Sequence, residues 1–291
     1  MDFNEYQRLS QETDRVPQRG GDGLLLPILG MMGEVASLQT EYKKKLRDGS
    51  GHVLFEDHVR EELGDVLWYA ANLAWKMDLP LEDIAQYNLS KTRARWIESP
   101  VTGAARLYDN DYPVTEQLPR QYEAAITEAD DPKNKAHLTI EGRSVGDDLD
   151  DNSYTEDGYK YHDVFHLAHM TVLGWSPTLR SLMKLKRKTN DQVDNVEDGG
   201  RARVIDEAIV AFVFDYARRH NFLKGLRHVD FELLRALRQL TSGLEVGTRA
   251  ERDWELAIFK GYEVWRAVKE NHGGRISGNL ETGDFRYLGP L

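Results

Sequence analysis

Glu61-Glu62-Leu63-Gly64-Asp65-Val66-Leu67-Trp68-Tyr69 lies inside a longer run, Phe55 to Met77. Its apolar residues recur at helical intervals: Val59, Leu63, Val66, Leu67, Ala70, Leu73 and Ala74. Residues three apart share one face of a helix, so Glu62 and Asp65 are neighbours beside an apolar stripe. Gly64, between them, is costly in a helix interior and leaves room for another backbone or a ligand. Upstream, Leu24 to Leu46 carries the same periodicity until Gly49-Ser50-Gly51 breaks it. Asp2 followed by Glu5 resembles a capping box that opens a short helix through Thr13. Downstream, Leu79-Pro80 interrupts the pattern, and Pro80 suits the first turn of a helix reaching Trp96. Four helices of this size predict a bundle.

Beyond Ser99 the texture changes. Pro, Asp and Gly become frequent, and Gln121 to Thr127 and Ala136 to Val145 read as strands, with Glu141-Gly142-Arg143 as a turn or bend. A small hairpin is expected there. The acidic run Asp147 to Asp151 reads as a solvated loop. Helical spacing resumes over Tyr161–Lys188, Gly200–Asn221, Asp230–Ser242 and Arg249–Glu270, and the Gly-rich tail is expected to be loosely ordered. The predicted fold class is mainly α: a helical bundle, a second helical block, and a β-hairpin between them.

The 291 residues suffice for one large domain or two modest ones. A net charge of −11, from 38 basic and 49 acidic side chains, argues against duplex nucleic acid as a partner. It leaves nucleotides open, because a metal and a few local cations can hold a triphosphate. The chain has no cysteine, which excludes disulfides, thiolate metal sites and cysteine nucleophiles and fits a cytoplasmic protein. Residues 1–15 are polar and unlike a signal peptide. The apolar runs Leu24–Met32 and Val66–Met77 are short for a bilayer, so no membrane partner is expected.

Glu34, in Gly33-Glu34-Val35-Ala36-Ser37, stands on the helix before the Glu62/Asp65 pair, with Glu41 two turns further along the same face. Carboxylates at the edge of a bundle core are expensive unless paired or bound to metal. Oxygen-rich sites of this kind suit Mg²⁺, or Mn²⁺ in its place, which joins carboxylates to phosphate oxygens. On spacing alone, Glu61, Glu62 and Asp65 also fit the plain solvated face of an amphipathic helix.

The wording of the segments adds to this. Leu29-Gly30-Met31-Met32-Gly33-Glu34-Val35, Tyr42-Lys43-Lys44 and Glu61 to Tyr69 occur in that order. Asn72-Leu73-Ala74, Leu79-Pro80-Leu81-Glu82-Asp83-Ile84 and Asn88 to Trp96 follow them. Together these segments resemble the MazG-like all-α nucleoside triphosphate pyrophosphohydrolases over about residues 24–97. The resemblance implies Mg²⁺-dependent cleavage of nucleoside triphosphates, NTP or dNTP, between the α and β phosphates. It implies Glu34, Glu62 and Asp65 as metal ligands, and Glu61 for water activation or outer support. Asn88, Lys91 and Arg95 are implied as phosphate contacts, with Lys44 and Trp68 as further substrate contacts. A homo-oligomer is implied as well. The departure is at position 37, where the family's second carboxylate is replaced by Ser37; Glu41 is the candidate to replace it as a ligand. The implied division is 1–98 as the pyrophosphohydrolase domain, 99–158 as connector and 159–291 as a C-terminal helical domain. A competing reading is a nucleotide-sensing or scaffolding protein whose catalytic set decayed at Ser37.

The second block holds another cluster, Tyr161-His162-Asp163-Val164-Phe165-His166. His162 and His166 are four apart on one helical face, Asp163 is adjacent, and Glu207 opens an apolar helix that could bring it opposite. Paired imidazoles at this interval bind transition metals, so a metal-dependent hydrolase centred here is a third reading. Hydrogen bonding within a helix interface is the plainer one. Lys184, Lys186, Arg187 and Lys188 read as a solvated helix end or as phosphate contacts, and Trp175, Trp254 and Trp265 as core.

Overall fold

In the computed structural model, residues 1–96, 107–129 and 134–291 are described, apart from the side chains of 22, 91 and 94–96. The chain divides into two compact units, residues 1–96 and 97–291.

The first unit is helical: α1 (Phe3–Ser10), α2 (Asp22–Asp48), α3 (Phe55–Lys76) and α4 (Leu81–Trp96). Asp2 caps α1 by accepting the Glu5 backbone N–H at 2.7 Å. Gly49, at φ 57°, ends α2, and the short connection to α3 makes the two an antiparallel hairpin packed along its length. Gly30 permits that packing, since a Cβ there would come within 2.2 Å of the Tyr69 ring. The small core is Ala71, Ala74 and Leu81, with Tyr6 against it. Gln7 ties α1 to the start of α4, donating to the Leu79 carbonyl at 2.9 Å and accepting from Leu81 N–H at 3.0 Å. Lys76 is buried and pairs with Asp14 at 2.7 Å, holding the segment before α2.

Much apolar surface on this unit stays uncovered: Leu25, Leu29, Met32 and Val35 of α2, and Leu63 of α3, are all about half exposed or more. As the periodicity over Leu24–Leu46 predicts, the apolar run Leu24–Met32 lies within one long helix, which with the 3₁₀ turn after it spans Gly23–Gly51. By length and composition alone that helix could cross a membrane, and only 11% of its most apolar stretch is buried.

The second unit holds a five-stranded antiparallel sheet in the order β3-β2-β1-β4-β5. The strands are β1 (Gln121–Glu128), β2 (Ala136–Ile140), β3 (Arg143–Ser144), β4 (Gly274–Asn279) and β5 (Asp284–Gly289). The expected hairpin is there as β2–β3, turning through Glu141 (φ 49°) and Gly142 (φ 71°), and as β1–β2. Two expectations are corrected. The stretch 99–158 does not stand apart as a connector, because β1 is the central strand and pairs with β4 from the tail. The tail itself is ordered sheet. Its glycines, which read as loop, are required by packing: the Tyr122 ring lies over Gly278, its cross-strand partner, where a Cβ would fall 2.3 Å from the ring.

Helices α5 (Asp163–Ala168), α6 (Pro177–Leu182), α7 (Asp191–Val196), α8 (Gly200–Arg219), α9 (Phe231–Thr241) and α10 (Glu251–Glu270) complete this unit. The single helix expected over Tyr161–Lys188 is instead broken. After α5 the chain widens into a π turn, His169–Leu173, and turns at Gly174 (φ 67°). It restarts with Ser176 as N-cap and Pro177 in the first turn of α6. Trp175, Trp254 and Trp265 are core, each at most 2% exposed, packed with Phe165, Ile209 and Tyr262. Arg187 is not a solvated helix end. It is 1% exposed and clamped by Asp198 and Glu245, each contacting it at 2.7 Å, a partnership between segments far apart in sequence.

Candidate functional site

Two clusters of titratable side chains stand out, one in each unit. In the first, α2 presents Glu34 and α3 presents Glu62, near enough for Glu34 to act on the Glu62 carboxyl. Burial and then Glu34, with Glu61 and Asp65 adding like charge, push the Glu62 carboxyl above its ordinary value. After burial, the influences on Glu62 are thus acidic neighbours. Glu34 and Glu62 are half-buried, whereas Glu61 and Asp65 are exposed. Asp65 also lies near Tyr6, whose phenol is raised by burial and then by that carboxylate. A Cβ added at Gly33 or Gly64 would meet nothing within 4 Å, so the flank of the cluster is open, with no backbone packed on Gly64. Carboxylate oxygens from two helices are donors of the kind a hard divalent cation takes, although among the described residues Glu34, Glu62 and Asp65 do not converge as a set of three donor atoms within 4.8 Å.

Glu41 does not join this group, and its expected role as a replacement ligand is corrected. It is 6% exposed, and its second oxygen meets His52 Nε2 at 2.8 Å and His58 Nδ1 at 2.9 Å. Its first oxygen accepts from the Lys44 ammonium, which is therefore engaged rather than free for substrate. Hydrogen bonds from Lys44, then His58 and His52, hold the Glu41 carboxyl down to about 2. The sequence reading missed both histidines. They flank the α2–α3 turn, and a tight hairpin must fold such residues back onto the last turns of α2.

Ser37 is one turn from Glu34 and half-buried. Trp68 is oriented by α1's end, donating from Nε1 to Thr13 Oγ1 at 2.9 Å. Asn88 lies exposed on α4. The side chains of Lys91 and Arg95 lie outside the described residues.

The second cluster sits between α5 and α8. His162 and His166 are one turn apart, and Glu207 of α8 brings Oε2 to 3.3 Å from His166 Nε2. His162 Nδ1 is 2.9 Å from the Tyr159 carbonyl, and the Tyr159 ring stacks on the imidazole at 4.5 Å. Behind His166 stands Asp206, fully buried, with Oδ1 at 3.0 Å from His166 Nδ1 (off the line of a hydrogen bond) and 3.2 Å from His169 Nδ1. Asp206 Oδ2 accepts from Ser176 Oγ at 2.8 Å and from Thr178 N–H at 3.3 Å. Burial would depress His166, but Asp206 and Glu207 outweigh it and raise the imidazole well above its ordinary value. Burial keeps His162 below its own. Asp163 is buried beside the cluster, its carboxyl raised by burial. The sequence reading found His162, Asp163, His166 and Glu207. It gave His169, at the end of the same stretch, and Asp206, beside Glu207, no role, because neither position carries a pattern of its own until α5 and α8 pack.

A family model described as the MazG C-terminal domain matches residues 103–290, nearly the whole second unit. The chain is similar to the Gene 37 protein of Mycobacterium phage L5, 34% identical over 110 residues, which is 36% of this chain and 96% of the phage protein. No solved structure matches.

Proposed function

This chain belongs to the MazG C-terminal domain family, and from that premise we propose that its first unit hydrolyses nucleoside triphosphates, NTP or dNTP, to monophosphate and pyrophosphate in a Mg²⁺-dependent reaction. The family match falls on the second unit, so the chemistry rests on residues of the first. The observation that supports the reading is the nearness of Glu34 on α2 to Glu62 on α3, felt in the raised Glu62 carboxyl. Two carboxylates crowded together in this way lose stability unless a cation is shared among them.

Glu34, Glu62 and Asp65 are the residues that would hold the metal. When bound there, Mg²⁺ (or Mn²⁺) neutralises the triphosphate and lowers the pKa of a bound water. Glu61, exposed beside Glu62, would accept a proton from water attacking the α phosphorus or support the ligands from outside. The bond from that phosphorus to the bridging oxygen breaks, and pyrophosphate leaves. The resemblance implies Asn88, Lys91 and Arg95 as phosphate contacts and Trp68, whose indole donates to Thr13, as a further substrate contact.

A panel of NTPs and dNTPs with Mg²⁺ and pyrophosphate detection tests this. Turnover of at least one triphosphate is expected, and Glu62→Gln lowers kcat by about 10²-fold or more. Ser37→Glu, which restores a carboxylate one turn from Glu34, is expected to raise activity. Absence of pyrophosphate from every triphosphate, with nucleotide still bound, would favour the sensing or scaffolding alternative instead.

A further inference from the structure

We propose that His162, His166 and Glu207 form a second metal site, taking a divalent transition ion of the class that prefers imidazole nitrogen with carboxylate oxygen, such as Zn²⁺. The inference concerns the second unit and is independent of the chemistry assigned to the first.

Geometry comes first. One donor atom from each of the three residues lies within 4.8 Å of the others. His166 Nε2 and Glu207 Oε2 are 3.3 Å apart. Two ligands sharing an ion at roughly 2.1 Å, at angles between square and tetrahedral, stand roughly 3.0 to 3.4 Å from each other. The measured spacing falls in that interval.

The far side of the His162 ring is also arranged as a ligating histidine requires. A metal-bound imidazole turns its other nitrogen toward a carbonyl or carboxylate, which sets the tautomer and the ring's direction. His162 turns Nδ1 to the Tyr159 carbonyl at 2.9 Å, which leaves Nε2 with its lone pair. His166 Nδ1 faces Asp206 at 3.0 Å, off the line of a hydrogen bond, so Asp206 acts on that ring by its charge. Asp206 is in turn fixed by Ser176, Thr178 and His169, so it acts as a positioning residue behind the site. The π turn after α5 belongs to the same construction, since His169 opens it; such turns are enriched at functional sites.

Charge points the same way. Asp163 and Asp206 are buried and Glu207 is beside them, and among the described residues the basic side chains paired with Asp206 and Glu207 are the imidazoles His166 and His169, with no Lys or Arg. Buried carboxylates are ordinarily matched by cations or by metal. The other His/Glu group, Glu41 with His52 and His58, differs on this point because the Lys44 ammonium already sits on Glu41. Glu207 is 47% exposed in its side chain, so the site has an open side. Three protein ligands with an open side is the donor set in which water or a substrate oxygen completes the shell.

The test uses the full chain, stripped with a chelator and titrated with Co²⁺ in excess Mg²⁺, followed by Zn²⁺ competition. One equivalent of Co²⁺ with visible d–d absorption, displaced by Zn²⁺, is expected. Glu207→Gln and His162→Gln weaken Co²⁺ binding at least about 10- to 100-fold, whereas His52→Gln leaves it unchanged. Glu207 is at the surface, so its variant is expected to keep the wild-type thermal melt. Absence of stoichiometric Co²⁺ binding, or binding lost in His52→Gln and kept in Glu207→Gln, overturns the assignment.

Discussion

A single side chain, Glu41, illustrates how position in the fold overrides position in the sequence. It shares a face with Glu34, yet its carboxyl is saturated by Lys44, His52 and His58. Its folded value, about 2, lies below the roughly 4.3 of an unfolded glutamate. A depressed carboxylate contributes stability that is present in full above the unfolded value and is lost as pH falls toward the folded one. Glu41→Gln is therefore expected to lower the melting temperature at neutral pH. It should also flatten its pH dependence between about 4.3 and 2. Calorimetry across that window checks this; parallel curves for variant and wild type would refute it. The helix positions of Glu34, Glu62 and Asp65 beside apolar stripes were legible from periodicity, while their role as metal ligands comes from the resemblance alone. Asp206 was not legible, since its partners come from α5, the π turn and α6, and only packing assembles them.

Among the elements, the C-terminal strands were the least legible. Residues 274–279 contain two glycines and little of the β-branched or aromatic character that marks a strand. What makes β4 a strand is the neighbour it lies against. Tyr122 on β1 covers Gly278 and is itself pinned, its hydroxyl 2.7 Å from Thr171 Oγ1 and 3.3 Å from the Leu167 carbonyl. The ring cannot yield cheaply. Gly278→Ala is expected to destabilise the second unit by about 1–3 kcal/mol, read from urea unfolding. A change within roughly 0.5 kcal/mol would mean the ring had moved aside freely. By contrast, β1, β2 and their turn announced themselves, because alternation and Glu141-Gly142 are local signals.

At the scale of the whole molecule, the units bury their apolar residues very differently. The second has an extensive core, whereas α2 leaves Leu29 56% and Met32 66% exposed. We infer that a second copy of this chain covers that face, in line with the homo-oligomer implied by the first unit's resemblance. The same helix carries Glu34, Glu41 and three consecutive lysines, which a bilayer core would penalise heavily. Light scattering is expected to give a dimer or larger for the wild type and a lower mass for Leu29→Glu/Met32→Glu. A monomeric wild type would sink the inference. Periodicity, breakers and turn residues, which act within a few positions, were enough to establish the four N-terminal helices, the hairpin and the acidic residues of α2 and α3. Folding alone decided that the tail closes the sheet, that Arg187 is buried between Asp198 and Glu245, and that Asp206 stands behind His166. Those contacts join residues tens to more than a hundred positions apart, and a buried charge declares its partner only when both have left water.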